Sequence, residues 1–217
     1  MTDFASQREA MVDRQLRRRG IVEQPILDAF LAVPREAFIS ADQAHLAYGD
    51  HPLPIEAGQT ISQPYIVALM IQAAGIGPSA KVLEVGAGSG YAAAVISRIA
   101  ARVVAIERQH QLVEIARGRM DRLGYDNVEI VEGDGTRGWP AGAPYDAILA
   151  AASGSHVPRP LIDQLAPGGS IVMPIGDPGL VQHLVKVTRK QDGGLEQSDL
   201  GGVRFVPLIG EEGWHDA

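Results

Sequence analysis

Apolar positions along the chain change their period near residue 80. Before it they recur at helical spacing. Phe4, Met11, Val12 and Leu16 share one face of a helix expected over 4–19, with Gly20 as its stop. Ile26, Leu27, Phe30 and Leu31 mark a second helix over Pro25–Val33, ended by Pro34. Residues 40–60 hold no period and carry Gly49, Pro52, Pro54 and Gly58. An irregular segment of that length inside a compact domain is commonly functional. A further helix is expected from near Ser62 through V-A-L-M-I-Q-A-A to about Gly75.

After residue 80, short buried strands alternate with helices. Strands are expected at Lys81–Val85, Arg102–Ile106, Val128–Val131, Asp146–Ala150 and Ser170–Met173. Helices are expected over Gly90–Ala100, from Gln111 to Leu123 before Gly124, and near Arg159–Leu165. This βαβ alternation predicts an α/β fold with a doubly wound, mainly parallel sheet. Leu184–Thr188, a D-G-G turn at 192–194 and Val203–Val206 predict a C-terminal antiparallel hairpin at one edge. A single domain over 1–217 accounts for the whole pattern, with an N-terminal helical extension and loop in 1–79 and the sheet in 80–217.

Composition narrows the chemistry. Hydrophobic residues at 46% and charged residues at 21% are ordinary for a globular protein. A net charge of -7 opposes general nucleic-acid binding, which needs a broad basic face. The one basic run, Arg17-Arg18-Arg19, ends a predicted helix, where cations suit the dipole. There is no cysteine, so thiolate chemistry and disulfides are absent. The six histidines show no close metal-ligand pairing, and no metal is expected. With no signal-peptide-like start and no apolar stretch long enough to span a bilayer, the expected location is the cytoplasm, without membrane partners.

The sharpest ligand signal is V-L-E-V-G-A-G-S-G-Y at 82–91, a strand feeding a glycine-rich turn and then a helix. Its glycines Gly86, Gly88 and Gly90 are spaced G-x-G-x-G, not the G-x-G-x-x-G of dinucleotide enzymes, which disfavours a nicotinamide oxidoreductase. Glu84, just before the turn, would repel a pyrophosphate but tolerates the cationic groups of S-adenosylmethionine. Glu107 ends the second strand 21 residues beyond Gly86, where a ribose-binding acid belongs. Asp134, between Gly133 and Gly135 at the end of the third strand, could accept from an adenine amino group or simply make a turn. Each acid alone has a bland explanation, but their meeting at one sheet edge points to an adenosyl ligand.

With these residues in place, the sequence resembles the protein-L-isoaspartate O-methyltransferase family. The most telling stretch is G-Q-T-I-S-Q-P-Y at 58–65, placed before the first sheet strand. The likeness continues through V-L-E-V-G-A-G-S-G-Y, A-I-E-R at 105–108, L-G-Y-D-N-V at 123–128 and G-D-G-T-R-G-W-P at 133–140. It extends to A-P-Y-D-A-I at 143–148, L-I-D-Q-L-A-P-G-G at 161–169 and R-F-V-P-L at 204–208, covering about residues 8 to 214. The resemblance implies a Rossmann-like methyltransferase sheet with added helices. It implies S-adenosylmethionine as cofactor, giving S-adenosylhomocysteine as product. Its position-by-position carry-over gives Ser62 as the active-site serine and Glu84, Gly86, Gly88, Glu107, Asp134 and Gly135 as cofactor residues. One stretch departs from the family pattern: A-A-A-S-G-S-H-V-P at 150–158 has Ala151 where a threonine is common.

The implied reaction is methyl transfer to the free α-carboxylate of isoaspartyl residues in damaged proteins, the partners expected for a chain working as a monomer. A carboxylate is already ionised at neutral pH and needs no general base. By residue type alone Ser62 is as well explained as a helix N-cap followed by Pro64. Thr60 and Ile61 would belong to a lid and peptide groove. Trp139 is expected to be packed, and His156 to sit on a solvated loop. Two other readings stay open: a related carboxyl methyltransferase with another peptide acceptor, and a cofactor-binding module that has lost catalysis.

Overall fold

The computed structural model describes residues 3–215; residues 1–2 and 216–217, and with them the outer bounds of the expected 1–217 domain, lie outside the described residues. Asp3 starts the first helix, its carboxylate accepting from the Ser6 N–H at 3.1 Å. Helix α1 (Phe4–Met11) runs on through a π-type turn at Val12–Leu16 and a tight turn at Arg17–Arg19. Gly20, at a left-handed φ of 92°, ends it. Helix α2 (Gln24–Ala32) follows, one residue earlier than its pattern predicts. Residues 40–60 are largely irregular, as expected, but contain a small hairpin of β1 (Leu53–Pro54) and β2 (Thr60–Ile61).

Helix α3 (Pro64–Ala74) begins two residues after Ser62, with Gln63 rather than Ser62 at its N-cap and no side-chain capping bond. Pro64 supplies the reason: it fits the first helical turn and holds the residue before it in an extended conformation.

The main sheet has seven strands: β3 (Lys81–Val85), β4 (Arg102–Glu107), β5 (Val128–Glu132), β6 (Tyr145–Ala150), β7 (Leu165–Ile175), β8 (Gln182–Arg189) and β9 (Leu195–Val203). Their order is β5-β4-β3-β6-β7-β8-β9. The first five are parallel, whereas β8 and β9 add on antiparallel. Connecting helices are α4 (Tyr91–Ser97), α5 (His110–Leu123) and α6 (Arg159–Asp163). The switch point, where chain order reverses, lies between β3 and β6, and ligands bind outside strand ends there.

The strand period of two splits the core. On β3, Val82 packs with the N-terminal helices and α4, and Leu83 and Val85 pack on the opposite face with Leu161, Ile171 and Leu208. Helices α1, α2 and α3 therefore extend one hydrophobic layer of the sheet. Among the described residues no helix is long and apolar enough to cross a membrane.

Several boundaries differ from the pattern, and β7 starts at Leu165 rather than Ser170. Helix α4 stops at Ser97 instead of Ala100, and α6 stops at Asp163 because Leu165 already pairs with Tyr145 in the sheet. The last strand is Leu195–Val203, not Val203–Val206. Buried Gln182 explains this: its side-chain oxygen accepts from the Phe205 N–H at 2.7 Å and its amide donates to the Phe205 carbonyl at 3.2 Å, drawing 204–206 off the ladder.

Candidate functional site

The glycine-rich turn leaves β3 at the switch point and is tied to β4. The N–H groups of Gly86 and Ala87 both donate to the Ile106 carbonyl, at 2.8 and 3.1 Å. Gly86 and Gly88 have φ of 89° and 52°, a region that favours glycine. A methyl on Gly86 would stand 3.6 Å from Ala151, and one on Gly88 3.5 Å from Ile55, so both glycines form cleft walls. Gly90 matters for packing instead. A methyl there would meet the Met120 side chain at 2.8 Å, so the bare backbone allows α4 and α5 to approach closely.

A cleft of about 660 Å³ opens beside this turn, bounded by Gly86, Gly88, Glu107, Gly135, Ala152 and Leu208. It continues into a narrow slot of about 50 Å³ whose walls include Thr60, Ser62, Glu84, Tyr91 and Phe205. Glu107 faces the cleft and is itself fixed, accepting from the N–H groups of Gly88 and Gln109, both at 3.0 Å. Each of its oxygens keeps acceptor capacity for one more donor. Glu84 is 2% exposed, and one of its carboxylate oxygens has no hydrogen-bond partner. Burial, and then the charge of Glu107, push its pKa up to about 8, only partly offset by the Ala93 N–H.

Asp134 stands apart. One of its oxygens accepts from the N–H and hydroxyl of Thr136, at 2.9 and 2.7 Å, and the other from the Glu211 N–H at 2.8 Å. Burial alone would raise its pKa, but these donors outweigh it and hold it below the usual carboxylate range. Asp134 thus binds the turn after β5 to the C-terminal segment, and its neighbour Gly135 lines the cleft.

Ser62 is half-buried between the slot and a third hollow, a groove of about 500 Å³ bordered by Pro52, Gln63, Ile66, Arg204 and Phe205. With Gln63 as the N-cap, the Ser62 hydroxyl makes no hydrogen bond within the described residues. Thr60 borders the cleft, slot and groove alike, whereas Ile61 is buried at the slot wall. The structure therefore gathers Thr60, Ile61, Ser62, Glu84, Gly86, Gly88, Glu107 and Gly135 around connected hollows, with Asp134 one step behind.

Several site residues have no local signal. Ala151 and Phe205 border the groove, and Leu208 the cleft, only because β6 and the segment after β9 end beside β3. The last two lie in the R-F-V-P-L run, which the sequence marks only through the family likeness. His156 and Ser155 border instead a hollow over Ile175 and Val187, away from the cleft. Trp139 packs in the second core layer, and the Trp214 indole donates to the Ser153 carbonyl at 2.9 Å. In the basic run, Arg19 stacks 3.4 Å over the Tyr65 ring and pairs with Asp50 at 2.6 Å.

The site suits an adenosyl sulfonium ligand on one direct observation: a buried carboxylate oxygen without a partner, beside a glycine cradle that a side chain would fill. Comparison with known proteins agrees. The family model described as Protein-L-isoaspartate(D-aspartate) O-methyltransferase matches residues 6–213. A protein-L-isoaspartate O-methyltransferase of Pelobacter propionicus is 53% identical, with 95% of this chain and 92% of that protein covered. Another from Koribacter versatilis is 49% identical, covering 100% and 97%. Among solved structures, a protein-L-isoaspartate O-methyltransferase superposes with a TM-score of 0.87 at 33% identity, over 95% of this chain and 67% of that one. A Plasmodium falciparum β-aspartate methyltransferase in complex with S-adenosyl-L-homocysteine gives 0.80 at 28%, over 96% and 99%. The chain belongs to the protein-L-isoaspartate(D-aspartate) O-methyltransferase family.

Proposed function

We propose that this site transfers a methyl group from S-adenosylmethionine to the free α-carboxylate of L-isoaspartyl residues in damaged proteins, with Ser62 aiming the acceptor. The carrying observation is the unpartnered Ser62 hydroxyl, set between the slot beside the glycine turn and the open groove. When bound, the cofactor supplies a methyl group on a positively charged sulfur. Gly86 and Gly88 let the backbone approach it, Glu107 and Gly135 face its ribose and adenine side, and Glu84 offers a carboxylate to its cationic end. Asp134 acts by holding Gly135 and the 210–214 segment in place.

The acceptor needs no base, because its carboxylate is ionised at neutral pH. What remains is to strip water from that carboxylate and hold it in line. Ser62 donates a hydrogen bond to one oxygen, leaving the other to attack, and Phe205 and Ile61 help exclude water. Thr60 and Ile61 lie in the hairpin that covers the acceptor. The same reading takes the chain as one methyltransferase unit over 1–217 (extension and substrate loop in 1–79, cofactor sheet in 80–217). It is taken to act as a monomer in the cytoplasm, without nucleic-acid or membrane partners; its net charge of -7 supports the former exclusion.

The test is incubation with methyl-labelled S-adenosylmethionine and two matched peptides, one isoaspartyl and one normal aspartyl. Base-labile label on the isoaspartyl peptide alone is expected. Label on neither peptide, with cofactor binding verified separately, would refute this assignment.

A further inference from the structure

The β1–β2 hairpin that presents Thr60 and Ser62 pairs only Leu53 with Ile61 and Pro54 with Thr60. Two strands so short do not hold a geometry by themselves. Its tip is a tight turn in which the Ile55 N–H donates to the Gln59 carbonyl at 2.8 Å. Ala57 and Gly58 both take left-handed φ there, 55° and 67°. Something outside the hairpin has to fix this turn.

That anchor is Arg119, which reaches up from α5. One guanidinium nitrogen pairs with Glu56 of the tip at 3.3 Å; the other donates to the Ser89 carbonyl in the glycine-rich turn at 3.2 Å. The Arg119 side chain is 8% exposed and that of Glu56 33%, so the pair is shielded far more than a surface ion pair. Ile55 adds an apolar contact by standing over Gly88. One planar, forked cation thus joins the loop that meets the cofactor to the hairpin that meets the acceptor.

We propose that Arg119 is a positioning residue that couples the two ligands: cofactor on the glycine turn steadies Glu56 through Arg119, and so sets the hairpin for the isoaspartyl carboxylate. This rests on the methyl-transfer reading above. Coupling between sites is reciprocal, so the peptide tightens cofactor binding by the same factor.

Calorimetry with S-adenosylhomocysteine, with and without a saturating isoaspartyl peptide, measures that factor. In the unaltered protein the peptide should tighten binding about fivefold or more. In Arg119→Gln and in Glu56→Gln the factor should fall close to one, and the double variant should lose nothing further, since both changes cut one link. Turnover should fall with it, while thermal unfolding shows each variant folded. If Arg119→Gln does not fold, Glu56→Gln on the part-exposed tip carries the test. Unchanged coupling in a folded variant, or binding of S-adenosylhomocysteine and peptide without mutual effect in the unaltered protein, overturns the coupling role of Arg119 while leaving the methyl-transfer assignment standing. Absence of any S-adenosylhomocysteine binding removes both.

Discussion

Glu84 and Glu107 stand on adjacent parallel strands and point to the same face of the sheet, yet only Glu107 has both oxygens bonded. Glu84 pairs in register with Ala105, two residues short of Glu107, so the two side chains occupy successive positions of one face. Glu107 is held by backbone N–H groups, whereas Glu84 is buried with an oxygen left over. Their proximity raises the cost of ionising Glu84. A cationic ligand removes that cost, which makes the pair a ready receptor for positive charge.

Cofactor binding should therefore release a proton. Glu84, pushed up to about 8, is mostly protonated in the free protein at pH 7 and ionised opposite a cationic amino group. Affinity for S-adenosylhomocysteine should rise toward pH 8, by up to about tenfold per pH unit. Calorimetry at pH 7 in buffers of different ionisation enthalpy should register uptake of close to one proton by the buffer. Glu84→Gln should abolish this and bind more weakly; a proton count that survives the substitution assigns the titration elsewhere.

The same carboxyl governs stability without ligand. Its folded pKa lies above the ordinary 4.5, so below about pH 4.5 both folded and unfolded states hold the proton and no penalty exists. Between 4.5 and 8 the unfolded chain ionises first, and stability is progressively lost, by on the order of 5 kcal/mol in all. Free Glu84→Gln protein should melt higher than the unaltered protein at pH 8.5 and closer to it at pH 5. A difference independent of pH would rule this out.

Ser62→Ala should separate chemistry from cofactor binding. Removing the free hydroxyl should lower kcat by about tenfold to a hundredfold, the scale of losing one aligned contact to the acceptor. The dissociation constant of S-adenosylhomocysteine should stay within a factor of about two, since cofactor contacts remain.

Asp134→Ala should do the opposite and also weaken the fold. It leaves the Thr136 and Glu211 donors without their acceptor, which costs about 1–3 kcal/mol. Both melting temperature and cofactor affinity should drop as Gly135 and the 210–214 segment loosen. Loss of affinity with an unchanged melting temperature would instead mark Asp134 as a direct ligand contact.

Peptide choice should be broad with one electrical bias. Among the described residues bordering the groove Arg204 is the lone charged side chain, and it is exposed. Isoaspartyl peptides with an acidic neighbour should exceed matched lysine peptides in kcat/KM by up to about fivefold, the range of an exposed ion pair. Added salt or Arg204→Gln should erase the difference. A spread of orders of magnitude among uncharged flanking sequences would contradict recognition through the peptide backbone.

The layout of elements is legible in the chain because it rests on short-range physics. Helix and strand periods, Gly20 and Gly124 at left-handed helix ends, and the G-x-G-x-G turn all act over a few residues. The last strand escapes its pattern because L-E-Q-S-D-L-G-G, all of it but the final Val203, lacks β-branched residues and so gives no strand signal by residue type. Likewise, Ser62 as a cap and Ser62 as a free hydroxyl look the same in the sequence; the placement of Pro64 in three dimensions separates them.

By itself the sequence determined the α/β class, the mainly parallel sheet, and the acids and glycines that end its strands. Those follow from residue type, period and spacing. Only the tertiary structure decided that Glu84 is buried and short of a partner, that Asp134 accepts from Thr136 and Glu211, and that Arg119 ties Glu56 to Ser89 across 63 and 30 residues of chain. The reason is physical: burial, pKa and ion pairing depend on which distant segments pack together, and no local pattern encodes what a side chain will face once water has been excluded.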